Sequence, residues 1–147
     1  MATRYRGEIK EVASLDVYIK LMRASTSVLN QVVPRLQKAG LTFSQFGVLE
    51  ALYHLGPLCQ KELGDKLLQS GGNITMVVNN LERQGLVVRL RDEIDKRYMV
   101  VHLTLRGTQR IQELFPLHLQ DLVNAFEVLS SEELETLNDL LRKVGKG

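Results

Sequence analysis

The stretch SGGNITMVVNNLERQGLVVRLRDEIDKRYMVVHL, residues 70–103, decides the fold, because its period changes midway. Up to about Gln84 the apolar residues Ile74, Val77, Val78 and Leu81 recur at helical spacing. Gly85 is a helix-ending signal. Beyond it the repeat falls to two: Leu86, Val88 and Leu90 alternate with Val87, Arg89 and Arg91, and Met99, Val101 and Leu103 alternate with Tyr98, Val100 and His102. A charged turn, DEIDK at 92–96, joins the two runs. The pattern predicts a helix feeding directly into a two-stranded hairpin, which is marginal alone and must pack on something helical. The helix itself is unusual. It opens on Ser70, Gly71 and Gly72, all poor in a helix interior, and Arg83 near its end is its one cation.

Upstream of this stretch, TFSQ at 42–45 is a capping box: the Thr42 hydroxyl can take the Gln45 amide while Gln45 reaches back. It starts a helix with Phe46, Leu49, Leu52 and Tyr53 along one side, stopped by Gly56-Pro57. A short helix follows from about Gln60 to Leu68. Before all of these, apolar residues from Ile9 to about Lys38 (Val12, Leu15, Tyr18 or Ile19, Met22, Val28, Val32, Leu36) describe a long amphipathic helix that Gly40 stops and Pro34 is expected to kink or end near Val33. Residues 1–7 read as a frayed arm. Downstream, Thr104 caps a long helix expected over about Leu105–Leu129, kinked at Pro116. SSEE at 130–133 is a second capping box, opening a last helix with Leu134, Leu137, Leu140 and Leu141, most simply interface or core.

Three short helices followed by a hairpin is the winged helix-turn-helix arrangement, in a mainly α chain whose third short helix would enter a major groove. The expected organisation is an arm and dimerisation helix over 1–40, a winged module over 41–104 and C-terminal dimerisation helices over 105–147. On this reading Ile74, Val77, Val78 and Leu81 pin one side of the helix, while Asn73, Thr75 and Met76, with Asn80 a turn further on, face DNA. Ser70 and Gly72 let the helix start sit close to the duplex, where exposed amides and the dipole suit a phosphate oxygen. Asparagine and threonine hydrogen-bond base edges. The hairpin supplies the charge. Residues 83–106 hold six cations (Arg83, Arg89, Arg91, Lys96, Arg97, Arg106) against three acids, an excess larger than the +2 of the whole 147-residue chain. Arg91 is counted with the DNA-facing set, Lys96 and Arg97 at the turn suit a narrow minor groove, and Asp95 is placed to orient Arg97 by an ion pair.

Composition sets the outer bounds. A content of 44% hydrophobic and 24% charged residues is ordinary for a globular domain. The single cysteine, Cys59, excludes an internal disulfide and suits a reducing cytoplasm. MATRYRGEIKEV has no apolar core of a secretory signal, and no run approaches the roughly 20 apolar residues that span a bilayer, so no membrane partner is expected.

The chain resembles the MarR family of bacterial transcriptional regulators. The residues that carry the likeness are LTFSQFGVLEAL (41–52), GPLCQKELGDKL (56–67), NITMVVNNLERQGLV (73–87), DKR (95–97), VVHLTLRG (100–107) and LSSEELETLNDLL (129–141). The resemblance implies a homodimer formed by the first and the last two helices, binding double-stranded DNA at a palindromic site, and regulation by a small ligand or by thiol oxidation. It favours repression. Two departures bear on the site. The family often has arginine where this chain has Met76 and Asn80, and its wing often reads DRR where this chain reads DKR, so Lys96 keeps the charge but loses the bidentate fork. The SGGNITMVV run further resembles a branch answering catechols and quinones, which points to a small aromatic or phenolic ligand. Tyr18, Phe46, Tyr53 and Phe115 are the candidate lining; plain core packing is the simpler role for each.

Other chemistries are weakly supported. No G-x-S-x-G, Walker loop or dinucleotide fingerprint is present, so no enzyme and no cofactor are expected. His54, His102 and His118 lack ligand spacing, so no metal is expected. Cys59 opens CQKE where a serine would make a capping box. It is a sensor thiol if the helix start lowers its pKa, and otherwise a small, partly buried residue. A winged module that binds protein instead of DNA is the remaining alternative.

Overall fold

The computed structural model describes residues 3–67 and 71–145. In chain order it has helices α1 (Ile9–Lys38), α2 (Phe43–Leu55), a short strand β1 (Leu58–Cys59), α3 (Gln60–Leu67), α4 (Gly71–Arg83), strands β2 (Val87–Arg91) and β3 (Met99–Leu103), then α5 (Leu105–Ala125) and α6 (Ser131–Gly145). The chain divides into two compact units, residues 33–119 and residues 1–32 with 120–147. Among the described residues no helix is long and apolar enough to cross a membrane.

Local chemistry sets most boundaries. Thr42 and Gln45 form the capping box in both directions, at 3.1 and 3.0 Å. Gly40, at φ 79°, closes α1 in the left-handed region that a side chain rarely adopts, and Leu41 N–H reaches back to Leu36 O at 3.0 Å. Ser130 and Glu133 repeat the capping box at α6, at 3.2 and 3.0 Å.

Two expectations are corrected and one is narrowed. The first helix spans Ile9–Lys38 as expected, and of the two effects expected of Pro34 the ending of the helix does not occur. The ring removes one backbone bond, but Leu36 is fully buried beyond it and holds the last turn in place. The long helix after Thr104 ends at Ala125, not Leu129. Residues 126–129 tighten into turns in which Leu129 N–H bonds Phe126 O at 3.0 Å, and this frees Ser130 to cap the next helix. The hairpin also has a third strand. Leu58 and Cys59 pair antiparallel with Val101 and Val100, giving the order β1-β3-β2. Two residues are too few to show a period, so the pairing left no mark in the pattern.

The core lies within the unit 33–119. Phe46, Leu49 and Leu52 of α2, Leu63 of α3, Ile74, Val78 and Leu81 of α4, Val87 and Val101 of the sheet and Ile111 of α5 form one buried cluster. The helix α4 packs on α2, α3 and β2. Its exit is held by the LTLRG segment. Thr104 N–H donates to Leu86 O at 3.1 Å, the Thr104 hydroxyl donates to Gly85 O at 2.7 Å, and Gly107 N–H donates to that hydroxyl at 3.0 Å. Gly85, at φ 74°, makes the turn. A Cβ at Gly107 would lie 1.9 Å from Leu86 O, so only glycine lets α5 start there. Arg110 of α5 donates to Ala39 O at the end of α1, covering a carbonyl that the helix leaves without a partner.

In the other unit Val32 is buried, but many apolar residues are left exposed. No residue of α6 is buried, and Val128, Leu140, Val144 and Tyr18 are all exposed.

Two variants test the exit of α4. Gly107→Ala is expected to destabilise the fold by about 2–3 kcal/mol, the scale of overpacking against a fixed backbone. Thr104→Ala is expected to cost about 1–2 kcal/mol through the lost cap. Urea denaturation at fixed protein concentration reads both, and a Gly107→Ala midpoint equal to wild type contradicts the packing described.

Candidate nucleic-acid interface

The helix α4 carries three stripes. Ile74, Val77, Val78 and Leu81 are buried. Asn73 and Met76 are exposed and Asn80 is half-buried, three or four residues apart on the outer side, and Met76 keeps 64% of its surface. Between these, Thr75, Asn79 and Glu82 form a flank turned to polar neighbours within the same unit. Sequence reasoning placed Thr75 with the outer set. In the structure it is half-buried, and its Oγ1 accepts a 2.6 Å bond from Gln60 Nε2 at the start of α3. Gly72 lies in the first turn of α4; Ser70 lies outside the described residues.

The wing is built by short-range bonds. Asp92 N–H bonds Tyr98 O at 2.9 Å and Tyr98 N–H bonds Asp95 O at 3.1 Å. Arg91 Nη1 donates to Lys96 O at 2.7 Å, spanning the loop. Arg97 meets Asp95 side-on with the Nε–Nη2 edge of its guanidinium, Nε to Oδ1 at 3.0 Å and Nη2 to Oδ2 at 2.8 Å, so the ion pair anticipated from D-x-R is formed. The bonds from Arg97 hold the Asp95 carboxyl below its ordinary range. The Arg97 side chain nevertheless stays 83% exposed, so the carboxylate aims the guanidinium without covering it. Lys96 and Ile94 are exposed beside it.

Arg89 is the residue whose role sequence reasoning missed. Counted among the wing's cations, it instead points to the helix. Strand register pairs Arg89 with Val101 and Val87 with Leu103, so Arg89 shares the face of β2 that carries buried Val87. An alternating pattern identifies two faces and not which is inner; Leu90, the apolar choice, is exposed.

Of the aromatic candidates, Phe46 is a core residue with 1% exposure, its ring 4.5 Å from that of His118. Tyr53, His54 and Phe115 form a cluster of edge-on and tilted rings 4.7–6.5 Å apart, with Tyr53 partly exposed. Tyr18 is exposed in the other unit. Cys59 N–H donates to Glu62 Oε1 at 3.3 Å, half of a capping box. Burial, followed by the hydrogen bond with Glu62, pushes the thiol pKa up, opposite to what a reactive sensor needs. Among the described residues no group of three or more His, Cys, Asp or Glu side chains could hold a metal ion.

A buried-backed helix with an exposed polar stripe, followed by an arginine-tipped hairpin, defines a winged helix-turn-helix protein. The MarR family pattern matches residues 39–97. The transcriptional regulator MhqR of Bacillus subtilis is 36% identical over 132 residues, covering 90% of this chain and 91% of that protein. A MarR family regulator from Streptomyces coelicolor, solved in complex with DNA, is 25% identical with a TM-score of 0.85, covering 98% of this chain and 91% of that one. BpsR of Bordetella bronchiseptica, whose DNA binding is regulated by 6-hydroxynicotinic acid, is 26% identical with a TM-score of 0.80, covering 88% and 98%. The chain belongs to the MarR family of transcriptional regulators. These are regulators without enzymatic activity.

Two measurements probe the site directly. The Asp95 carboxyl, with its folded-state pKa depressed, keeps its ion pair above the usual aspartate range and loses it only as pH falls through the lowered value. Its NMR titration midpoint is expected below that of an ordinary aspartate and to return to normal in Arg97→Ala; an unshifted wild-type midpoint contradicts the pair. Cys59 is expected to alkylate with iodoacetamide at pH 7 more slowly than a free cysteine, since less of it is thiolate; faster alkylation contradicts the raised pKa.

Proposed function

We propose that this regulator acts in the cytoplasm as a homodimeric, ligand-responsive repressor of a palindromic operator. The observation that carries the reading is the pairing of surfaces in one compact unit: an outer stripe of Asn73, Met76 and Asn80 without charge, beside a wing whose Arg97 is aimed yet exposed. Ser70, Gly72, the outer stripe of α4 with Thr75 on its edge, and Arg91, Asp95, Lys96 and Arg97 on the wing make up the proposed interface. Base edges meet small neutral side chains, while the wing reads groove width and phosphate. Solved relatives bound to DNA support this.

A second copy of the chain accounts for α6, an amphipathic helix with no buried residue, and for the exposed apolar residues of its unit. Residues 1–40 and 105–147 supply the dimerisation helices, and 41–104 the winged module. The effector class that fits best is a small aromatic or phenolic compound, stacking on Tyr53 and Phe115. BpsR, answering a hydroxylated aromatic acid, supports that class. Binding that favours one dimer geometry would move the two recognition helices away from the half-site spacing.

A mobility-shift titration on the chain's own upstream DNA tests the reading. Binding is expected with half-sites roughly 34–36 Å apart, weakening at least about tenfold between 50 and 200 mM salt. Arg97→Ala is expected to weaken binding to operator and to mixed-sequence duplex alike. Absence of any shift at low salt would instead favour a winged module that binds protein, and an Arg97→Ala affinity equal to wild type would remove the wing from the interface. A panel of phenols and quinones is expected to release the DNA, with Cys59→Ser leaving that response intact; a peroxide response lost in Cys59→Ser would restore the thiol-sensor reading.

A further inference from the structure

Arg89 sits on the inner face of β2, 22% exposed, and its guanidinium reaches three side chains. Nη2 donates to Asn79 Oδ1 and to Glu82 Oε1, the latter at 3.2 Å, and Nη1 approaches Gln60 Oε1 at 3.4 Å. The Arg89 backbone N–H donates to Glu82 Oε2, also at 3.2 Å, so Glu82 grips strand and side chain together. Gln60 passes the connection on, donating to Thr75 Oγ1 at 2.6 Å. Thr75, Asn79 and Glu82 are spaced i, i+4, i+7, so the chain of bonds runs the length of one flank of α4. Beside them, the apolar stripe of Ile74, Val78 and Leu81 holds the helix at a fixed distance from the core. Apolar contacts are non-directional. They leave the roll of the helix about its own axis softly determined, whereas bonds to a planar guanidinium are directional.

We propose that Arg89 is a positioning residue for sequence discrimination. Its fork, seated on Asn79, Glu82 and Gln60, sets the roll of α4 against the wing. The outer stripe and the wing tip then meet a duplex in one register. Arg89 does not contact phosphate: its charge is matched by Glu82, whose own pKa the arginine lowers. The inference rests on the DNA-binding reading.

The experiment compares Arg89→Gln, Glu82→Gln and wild type in the full chain. Affinity is measured for a duplex from the chain's own upstream region and for a mixed-sequence duplex, each across a salt series, with thermal melting at each condition. For Arg89→Gln the expected result is a loss of about tenfold or more in affinity for the upstream duplex. Affinity for the mixed duplex and the salt slope should both stay close to wild type. Glu82→Gln leaves the arginine's charge in place and should reproduce the loss of discrimination, and the double variant should lose little beyond either single change. A phosphate contact gives a different pattern: Arg89→Gln lowers both affinities together and flattens the slope by nearly one counterion per subunit, while Glu82→Gln strengthens binding to both duplexes. That pattern overturns the inference, as does unchanged discrimination in Glu82→Gln. If Arg89→Gln fails to fold, the Glu82→Gln result decides alone. Should wild type show no preference for its upstream duplex, the DNA-binding reading itself fails, an outcome distinct from the others.

Discussion

The carbonyl groups of Gly85 and Leu86 accept the hydroxyl and the amide of Thr104, and the rest of the winged module depends on this junction. It joins the end of α4, the base of β2 and the start of α5 within a few ångströms. Gly85 turns the chain, Thr104 closes the turn and caps the next helix, and Gly107 admits the helix against Leu86. The Leu-Thr-x-x-Gly pattern is therefore a statement about backbone approach. With the junction set, β2 leaves directly from the end of α4 and packs against it.

Charge is divided between the two surfaces with little waste. The helix presents asparagine and methionine and relies on neighbours for cations. The hairpin's arginines are each given a task by a nearby acceptor: Arg89 by Glu82 and Asn79, Arg91 by the Lys96 carbonyl, Arg97 by Asp95. Arg89 is the one of the three drawn inward, at 22% exposure, whereas Arg97 keeps 83% of its side chain in solvent. A net charge summed along the hairpin therefore overstates what faces a partner, because one of its cations belongs to the interior framework. The helix needs that framework: its core-facing side is aliphatic, and directional bonds come from its flank.

Features encoded by neighbours in the chain were legible in the sequence. The two capping boxes, the glycine stops at 40 and 85, the apolar stripe of α4 and the Asp95–Arg97 pair all involve residues within a few positions of each other. What was not legible depends on residues far apart. The strand at Leu58 and Cys59 exists because β3 offers an edge to it. Arg89 turns inward because Gln60, Asn79 and Glu82 wait there, 29, 10 and 7 residues away. Thr75 leaves the outer stripe for the same reason. Pro34 stays helical because Leu36 is buried beyond it. In each case a tertiary partner outweighed a local preference.

The central claim is that the uncharged outer stripe of α4 enters the duplex. The most direct test uses protein labelled with ¹³C at its methionine methyl groups, titrated with operator DNA and followed by NMR. Of the four methionines, Met76 lies on the outer stripe and Met22 in the other compact unit. A large shift of the Met76 methyl at saturation, with contacts to DNA protons, is the result the account predicts. A Met76 methyl that remains unmoved while the DNA is fully bound would contradict it.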